Sequence, residues 1–167
     1  MPANDLRSRL ALIVITDPNA GPGRSVAEVV RLALQGGAPA IQLRMKGGSG
    51  REMAEVGAAL LEETRRAGAL LFVNDRVDVA LAIGADGAHV GDDDIPLGAA
   101  RRIAPPGFLL GRSVDRVEEA EAAMWEGADY VGAGPVYPTG SKLDTGPVMG
   151  VEGIGAIRAR LGALPLV

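Results

Sequence analysis

The chain has 167 residues, 47% hydrophobic and only 3% aromatic, with a net charge of −4. That length suits one domain, and the apolar content is enough for a core, which argues against disorder. Without cysteine and with one histidine, disulfides, cysteine–zinc sites, thiol nucleophiles and a multi-histidine metal site within one chain are excluded. The lack of a basic run gives nucleic-acid binding no support.

Residues 1–9 are polar and charged, unlike a signal peptide. Residues 10–16 (LALIVIT) form a continuous apolar run, read as a buried strand. Ser25 and Glu28 have capping-box spacing ahead of a helix over 26–35, stopped by Gly36-Gly37. A second strand is predicted over 41–44. Ser49 and Glu52 make a second capping box, opening a helix to about Ala67. A third strand follows over 69–74 (ALLFVN), then a short helix over 77–83 and a fourth strand over 87–91 (GAHVG). A helix over 97–103 precedes a fifth strand over 108–113. Asp115 and Glu118 have the spacing of a third capping box, for a helix reaching about Glu126 on which Met124-Trp125 is expected to pack against the sheet. The sixth strand is predicted over 130–134, a helix over 151–161, and 164–167 begins to look like a seventh strand. No apolar run reaches the length of a membrane span.

Strand and helix alternate throughout, which means βα units and a parallel sheet. The segments at 37–41, 84–88 and 127–131 repeat weakly, each ending a helix with Gly-Ala and starting a strand. Repeating βα units favour a (β/α)₈ barrel, and no Gly-x-Gly-x-x-Gly turn follows the first strand to favour a doubly wound sheet. The fold expected is α/β, a TIM (β/α)₈-type barrel in one domain over 1–167. Six strands and the start of a seventh leave that barrel incomplete, its C-terminal strands missing from this chain.

Active sites of such barrels lie at the C-terminal ends of the strands. There the second strand supplies Gln42, Arg44 and Lys46 on one face, with Leu43 and Met45 on the other. The third supplies Asn74-Asp75-Arg76, the fourth Asp92-Asp93-Asp94, the fifth Ser113, and the sixth the loop Thr139-Gly140-Ser141-Lys142. Two unpaired cations are costly to bury, so Arg44 and Lys46 call for an anion. Carboxylates on neighbouring strands beside Lys and Arg form the pattern of a magnesium diphosphate. Plainer readings stand beside these. Arg44 and Lys46 could be solvated, Asp75 could pair with Arg76, and Asp92 and Asp93 could belong to a solvated acidic turn. His89, mid-strand, reads as a satisfied interior histidine, and residues 139–142 could be an ordinary turn. Ser113 could cap a helix, although Asp115 already fits that duty.

Taken together, Gln42-Leu43-Arg44-Met45-Lys46, Val73-Asn74-Asp75-Arg76, the run from Gly84 through Asp94, Gly111-Arg112-Ser113, and the run from Gly127 through Lys142 resemble the thiamine-phosphate synthase family, in family order over nearly the whole chain. The resemblance implies a TIM-barrel transferase that joins hydroxymethylpyrimidine diphosphate to hydroxyethylthiazole phosphate, giving thiamine phosphate and diphosphate. It implies that Gln42 to Lys46 and Asn74 hold the pyrimidine diphosphate, and that Asp75 and Asp94 bind Mg²⁺. It implies too that Ser113 contacts the pyrimidine, Lys142 the diphosphate, and Thr139 to Ser141 the thiazole phosphate. By the same resemblance Arg44, Lys46, Ser113 and Lys142 are expected to carry the catalysis, in which diphosphate would depart before the thiazole nitrogen attacks. A cytoplasmic protein with small-molecule partners is expected, with no nucleic acid or membrane, and a homo-oligomer is compatible with it. Three departures stand out: Asp92 where the family usually has Gln, Asp115 where His is common, and the family's continuation beyond Val167 into further phosphate-binding loops. The alternatives are a related thiazole tautomerase, which would not need the intact Gln42, Arg44 and Lys46 set, and a non-catalytic phosphate-binding barrel.

Overall fold

A computed structural model describes residues 3–17, 23–140 and 146–167. Among these residues helices and strands alternate as α1 (Ala3–Arg9), β1 (Ile13–Ile15), α2 (Val26–Gln35), β2 (Ala40–Leu43), α3 (Gly50–Ala67), β3 (Leu70–Asn74), α4 (Val77–Ile83), β4 (Gly87–Val90), α5 (Leu97–Ile103), β5 (Leu109–Val114), α6 (Val117–Trp125), β6 (Tyr130–Ala133) and α7 (Gly150–Arg160). The sheet order is β1-β2-β3-β4-β5-β6, and every pairing is parallel. These are six strands of a (β/α)₈-type barrel, as the alternation implied. The expected seventh strand is only a parallel bridge, Leu166 beside Val131, with Val167 N–H donating to the Val131 carbonyl at 2.9 Å.

The two faces of the sheet bury different residues. Ile41, Leu43, Leu71, Val73, Ala88, Val90, Leu110 and Val131 point outward into the helix layer. Ala40, Leu70, Phe72, Leu109 and Tyr130 fill the inside, joined by Leu10. Inside, large residues meet glycines across the register, as a tapering barrel requires. Gly87 pairs with Phe72, and a Cβ there would sit 2.8 Å from the Phe72 ring. Gly111 pairs with Tyr130, and a Cβ there would sit 2.1 Å from the Tyr130 ring.

The Gly-Ala repeat has a mechanical explanation. Asp86 Oδ2 accepts the Leu71 N–H at 2.8 Å, and Asp129 Oδ2 accepts the Leu110 N–H at 2.8 Å. Each carboxylate, entering its own strand, holds the start of the preceding one. Arg101 also reaches Asp129 at 2.5 Å, together with the Phe108 and Gly127 carbonyls.

The structure departs from the sequence reading in several places. Residues 10–16 are not all strand: Leu10 ends the turn after α1 and plugs the inside of the barrel, leaving β1 with three residues. Helix α1 was not expected, because only Leu6 and Leu10 mark its apolar face; Arg7 and Arg9 tie it to the carbonyls of Ala163 and Gly68 at 3.0 and 3.3 Å. The Asp115–Glu118 capping box does not form. The helix starts at Val117, and it is Glu119 that accepts the Asp115 N–H at 3.0 Å. Trp125 is not packed on the sheet but is 83% exposed, since α6 turns Ala120 and Ala123 inward. The Ser49–Glu52 capping box is complete, whereas Ser25 is seen to accept only the Glu28 N–H.

Candidate active site

The C-terminal ends of the strands open into a cavity of about 530 Å³, within the range of small-molecule sites. Gln42, Arg44, Lys46, Asn74, Asp75, Asp94, Ser113 and Thr139 line it, as does His89. Leu43 and Met45 do not. Leu43 is fully buried among the helices, and Met45 packs beside it, because their strand alternation turns them away. Gly140 is exposed outside the lining, and Ser141 and Lys142 lie outside the described residues.

The backbone fixes the basic arm. Thr16, buried at the end of β1, accepts the Arg44 N–H at 2.9 Å and donates to the Arg44 carbonyl at 3.2 Å. This pins the chain where it leaves β2, with Gln42 only 4% exposed at the strand end. Lys46 Nζ then reaches Asp75 Oδ2 at 3.0 Å.

Asp75 is held in an unusual conformation. Its φ is 66°, the one positive φ at a non-glycine among the described residues. The Arg76 N–H bonds back to the Asn74 carbonyl at 2.8 Å, closing a three-residue γ-turn around it, and the Asp75 N–H donates to the His89 carbonyl at 2.8 Å. Such strain gathers at functional sites. Asn74 Nδ2 donates to the other carboxylate oxygen at 2.5 Å. Arg76 does not pair with Asp75; it turns outward to Asp78 at 2.6 Å.

Asp94 closes the acidic side. Its Oδ2 accepts the Gly91 N–H at 2.7 Å. Burial pushes its pKa above the usual carboxylate range, and the nearby Asp75 carboxylate pushes the same way. A carboxylate whose charge is opposed by burial and by a second carboxylate close by is what a divalent cation relieves. As hard oxygen donors beside an open cavity, Asp75 and Asp94 fit Mg²⁺ held jointly with phosphate oxygens. The other two acids of that turn behave differently: Asp92 and Asp93 are exposed, and Asp92 pairs with Arg112 at 2.5 Å.

His89, Tyr130, Asp115 and Glu119 also line the cavity and were not picked out as site residues. His89 Nδ1 lies 3.0 Å from the Tyr130 hydroxyl, and its Nε2 lies 2.9 Å from Ser113 Oγ. His89 is thus the satisfied interior histidine expected, but it is satisfied by a candidate site residue. Asp115 and Glu119 line the opposite wall. The buried Asp115 Oδ1 makes no hydrogen bond, and Arg116 Nε stands 3.4 Å away. Burial, then the neighbouring Glu119, raises the Asp115 pKa. The only sequence signal for this wall was the departure at Asp115; nothing marked Tyr130 or Glu119.

A parallel barrel with cations and paired carboxylates around a cavity at its strand ends defines an enzyme that handles phosphorylated small molecules. The chain belongs to the thiamine monophosphate synthase family, whose profile matches residues 12–167. It is 52% identical over 156 residues to the thiamine-phosphate synthase of Methanoculleus marisnigri, covering 93% of this chain and 74% of that protein. It is 50% identical over 159 residues to that of Methanoregula boonei, covering 95% and 73%. Among solved structures, a thiamine phosphate pyrophosphorylase from Pyrococcus furiosus superposes with a TM-score of 0.81 at 49% identity, covering 91% of this chain and 71% of that one. An aldolase acting on 4-hydroxy-2-oxoglutarate superposes at 0.67 with 18% identity over all of this chain and 76% of its own, a likeness of fold alone. The chain is accordingly a transferase with thiamine-phosphate synthase activity on small-molecule substrates. No helix among the described residues is long and apolar enough to cross a membrane.

Proposed function

We propose that the cavity joins hydroxymethylpyrimidine diphosphate to hydroxyethylthiazole phosphate with Mg²⁺ held by Asp75 and Asp94. The observation that carries this reading is the convergence of Lys46, Asp75 and Asp94 in a cavity that Arg44 also lines. The metal, when bound there, supplies positive charge to the diphosphate oxygens.

Arg44 and Lys46 bind the diphosphate and stabilise the charge that grows on it as the carbon–oxygen bond breaks, the electrostatic contribution that usually dominates such catalysis. Gln42, Asn74 and Ser113 orient the pyrimidine so that its methylene carbon faces the thiazole nitrogen. That nitrogen forms the new carbon–nitrogen bond, and diphosphate leaves with the bonding electrons. No side chain acts as a nucleophile. Leu43 and Met45 support the arm from the core side, Thr139, Gly140 and Ser141 contact the thiazole phosphate, and Lys142 contacts the diphosphate. A cytoplasmic location goes with this reading.

The test is incubation with both substrates and Mg²⁺, following thiamine phosphate. Chelation of the metal should abolish product, and Lys46→Ala should lower turnover by about a hundredfold or more, in line with loss of one preorganised charge contact. Unchanged turnover in Lys46→Ala would show that the diphosphate sits elsewhere.

A further inference from the structure

We infer that His89 and Tyr130 are positioning residues that fix the hydrogen-bond polarity of the pyrimidine pocket at Ser113, through a one-directional chain from Tyr130 to His89 to Ser113. The inference rests on the reading that Ser113 faces the pyrimidine.

The chain crosses the inside of the barrel from β6 to β4 and on to β5. Tyr130 is fully buried and His89 is 8% exposed. Two glycines make room for them. A Cβ on Gly111 would lie 2.5 Å from His89 Nδ1 as well as inside the Tyr130 ring contact, and one on Gly132 would lie 3.2 Å from His89 Cε1. The His89 and Tyr130 rings stand 5.4 Å apart, and the edge of Phe72 closes the other side of Tyr130 at 5.3 Å. The Tyr130 hydroxyl stands 3.0 Å from Nδ1, and Ser113 Oγ stands 2.9 Å from Nε2.

A neutral imidazole donates from one nitrogen and accepts at the other, and a phenol has one proton. Only two arrangements therefore satisfy the chain. In one, Tyr130 donates to Nδ1, and Nε2–H donates to Ser113 Oγ. The Ser113 proton is then free to point into the cavity. In the other, every bond reverses and the two ends exchange roles. The Tyr130 hydroxyl is fully buried, and the acceptor set against it is His89 Nδ1 at 3.0 Å. A proton on Nδ1 would leave that buried O–H without its acceptor, which selects the first arrangement. Ser113 is thus a donor toward the cavity. A pyrimidine ring nitrogen offers the complement, a lone pair. A ring carrying a donor at that position would leave one group unpaired, a penalty that supports discrimination.

His89 is the chain's sole histidine, so ¹⁵N-histidine labelling of the whole protein gives one imidazole to read by NMR. The expected result is Nε2 protonated and Nδ1 an unprotonated acceptor. Tyr130→Phe should lose that preference. It should also lower kcat/KM for the pyrimidine diphosphate about tenfold, the loss expected for one hydrogen bond, and leave KM for the thiazole phosphate unchanged. A wild-type Nδ1–H tautomer, or two protonated nitrogens, would overturn the inference. So would a Tyr130→Phe protein with wild-type tautomer and kcat/KM; if that variant fails to fold, the wild-type spectrum alone decides. The expected tautomer in a protein that forms no thiamine phosphate would support the chain and overturn the proposed function.

Discussion

The γ-turn at Asp75 separates backbone strain from charge, because three substitutions affect the two differently. Each of Asp75→Gly, Asp75→Asn and Asp75→Ala removes the carboxylate, so each should reduce thiamine phosphate formation by a similar, large factor. Each also loses the ion pair with Lys46, which is half exposed and contributes roughly 0–1 kcal/mol. They differ in what φ 66° costs. Glycine adopts it freely and asparagine tolerates it, whereas a side chain without a local hydrogen bond is penalised by about 1–2 kcal/mol. Glycine gives back about 0.4–1 kcal/mol through the unfolded chain, so Gly and Asn should be close in stability and Ala about 1 kcal/mol below them. For a chain of this size that difference is roughly 2–4 °C in Tm. Thermal and denaturant unfolding of the three variants measures it, beside a turnover assay. An alanine variant as stable as the asparagine variant would refute the strained turn. Retained turnover in any of the three would refute the role given to the carboxylate.

Asp115→Asn should raise Tm at neutral pH, and the gain should vanish as pH falls toward the ordinary carboxylate pKa. The folded-state pKa of Asp115 lies above its unfolded value, so the folded protein binds more protons between the two and stability falls as pH rises through that window, a loss the amide escapes. A gain that is constant with pH would refute the assignment. Gly111→Ala should destabilise by about 1–3 kcal/mol through overpacking against Tyr130, seen as a lower denaturation midpoint; an unchanged midpoint would show that the ring moves freely. Trp125→Ala should change stability by less than about 0.5 kcal/mol, since the ring is exposed; a loss of several kcal/mol would mean that the indole is packed after all.

What the sequence made legible was whatever is encoded locally along the chain. Helices α2, α3, α4 and α5 start and stop where caps, glycines and apolar spacing put them. Gln42, Arg44 and Lys46 share a face by strand alternation and reach one cavity. The rest depends on contacts between elements. Asp115 and Glu118 have capping-box spacing, yet the start of α6 is set by tertiary packing, and Glu119 takes the contact instead. Asp75 carries no local mark of a positive φ; its turn is completed by the His89 carbonyl from the next strand. The inner layer is the strongest case. Along β5 alone, Gly111 reads as a flexible residue, and along β6 alone, Tyr130 reads as core. Only the pairing of Gly111 with His89 on one side and Tyr130 on the other shows that the glycine is a gap cut for two rings. Filling that gap carries a polar chain from the core to Ser113, so the fold's packing and the polarity of its site are set by the same register.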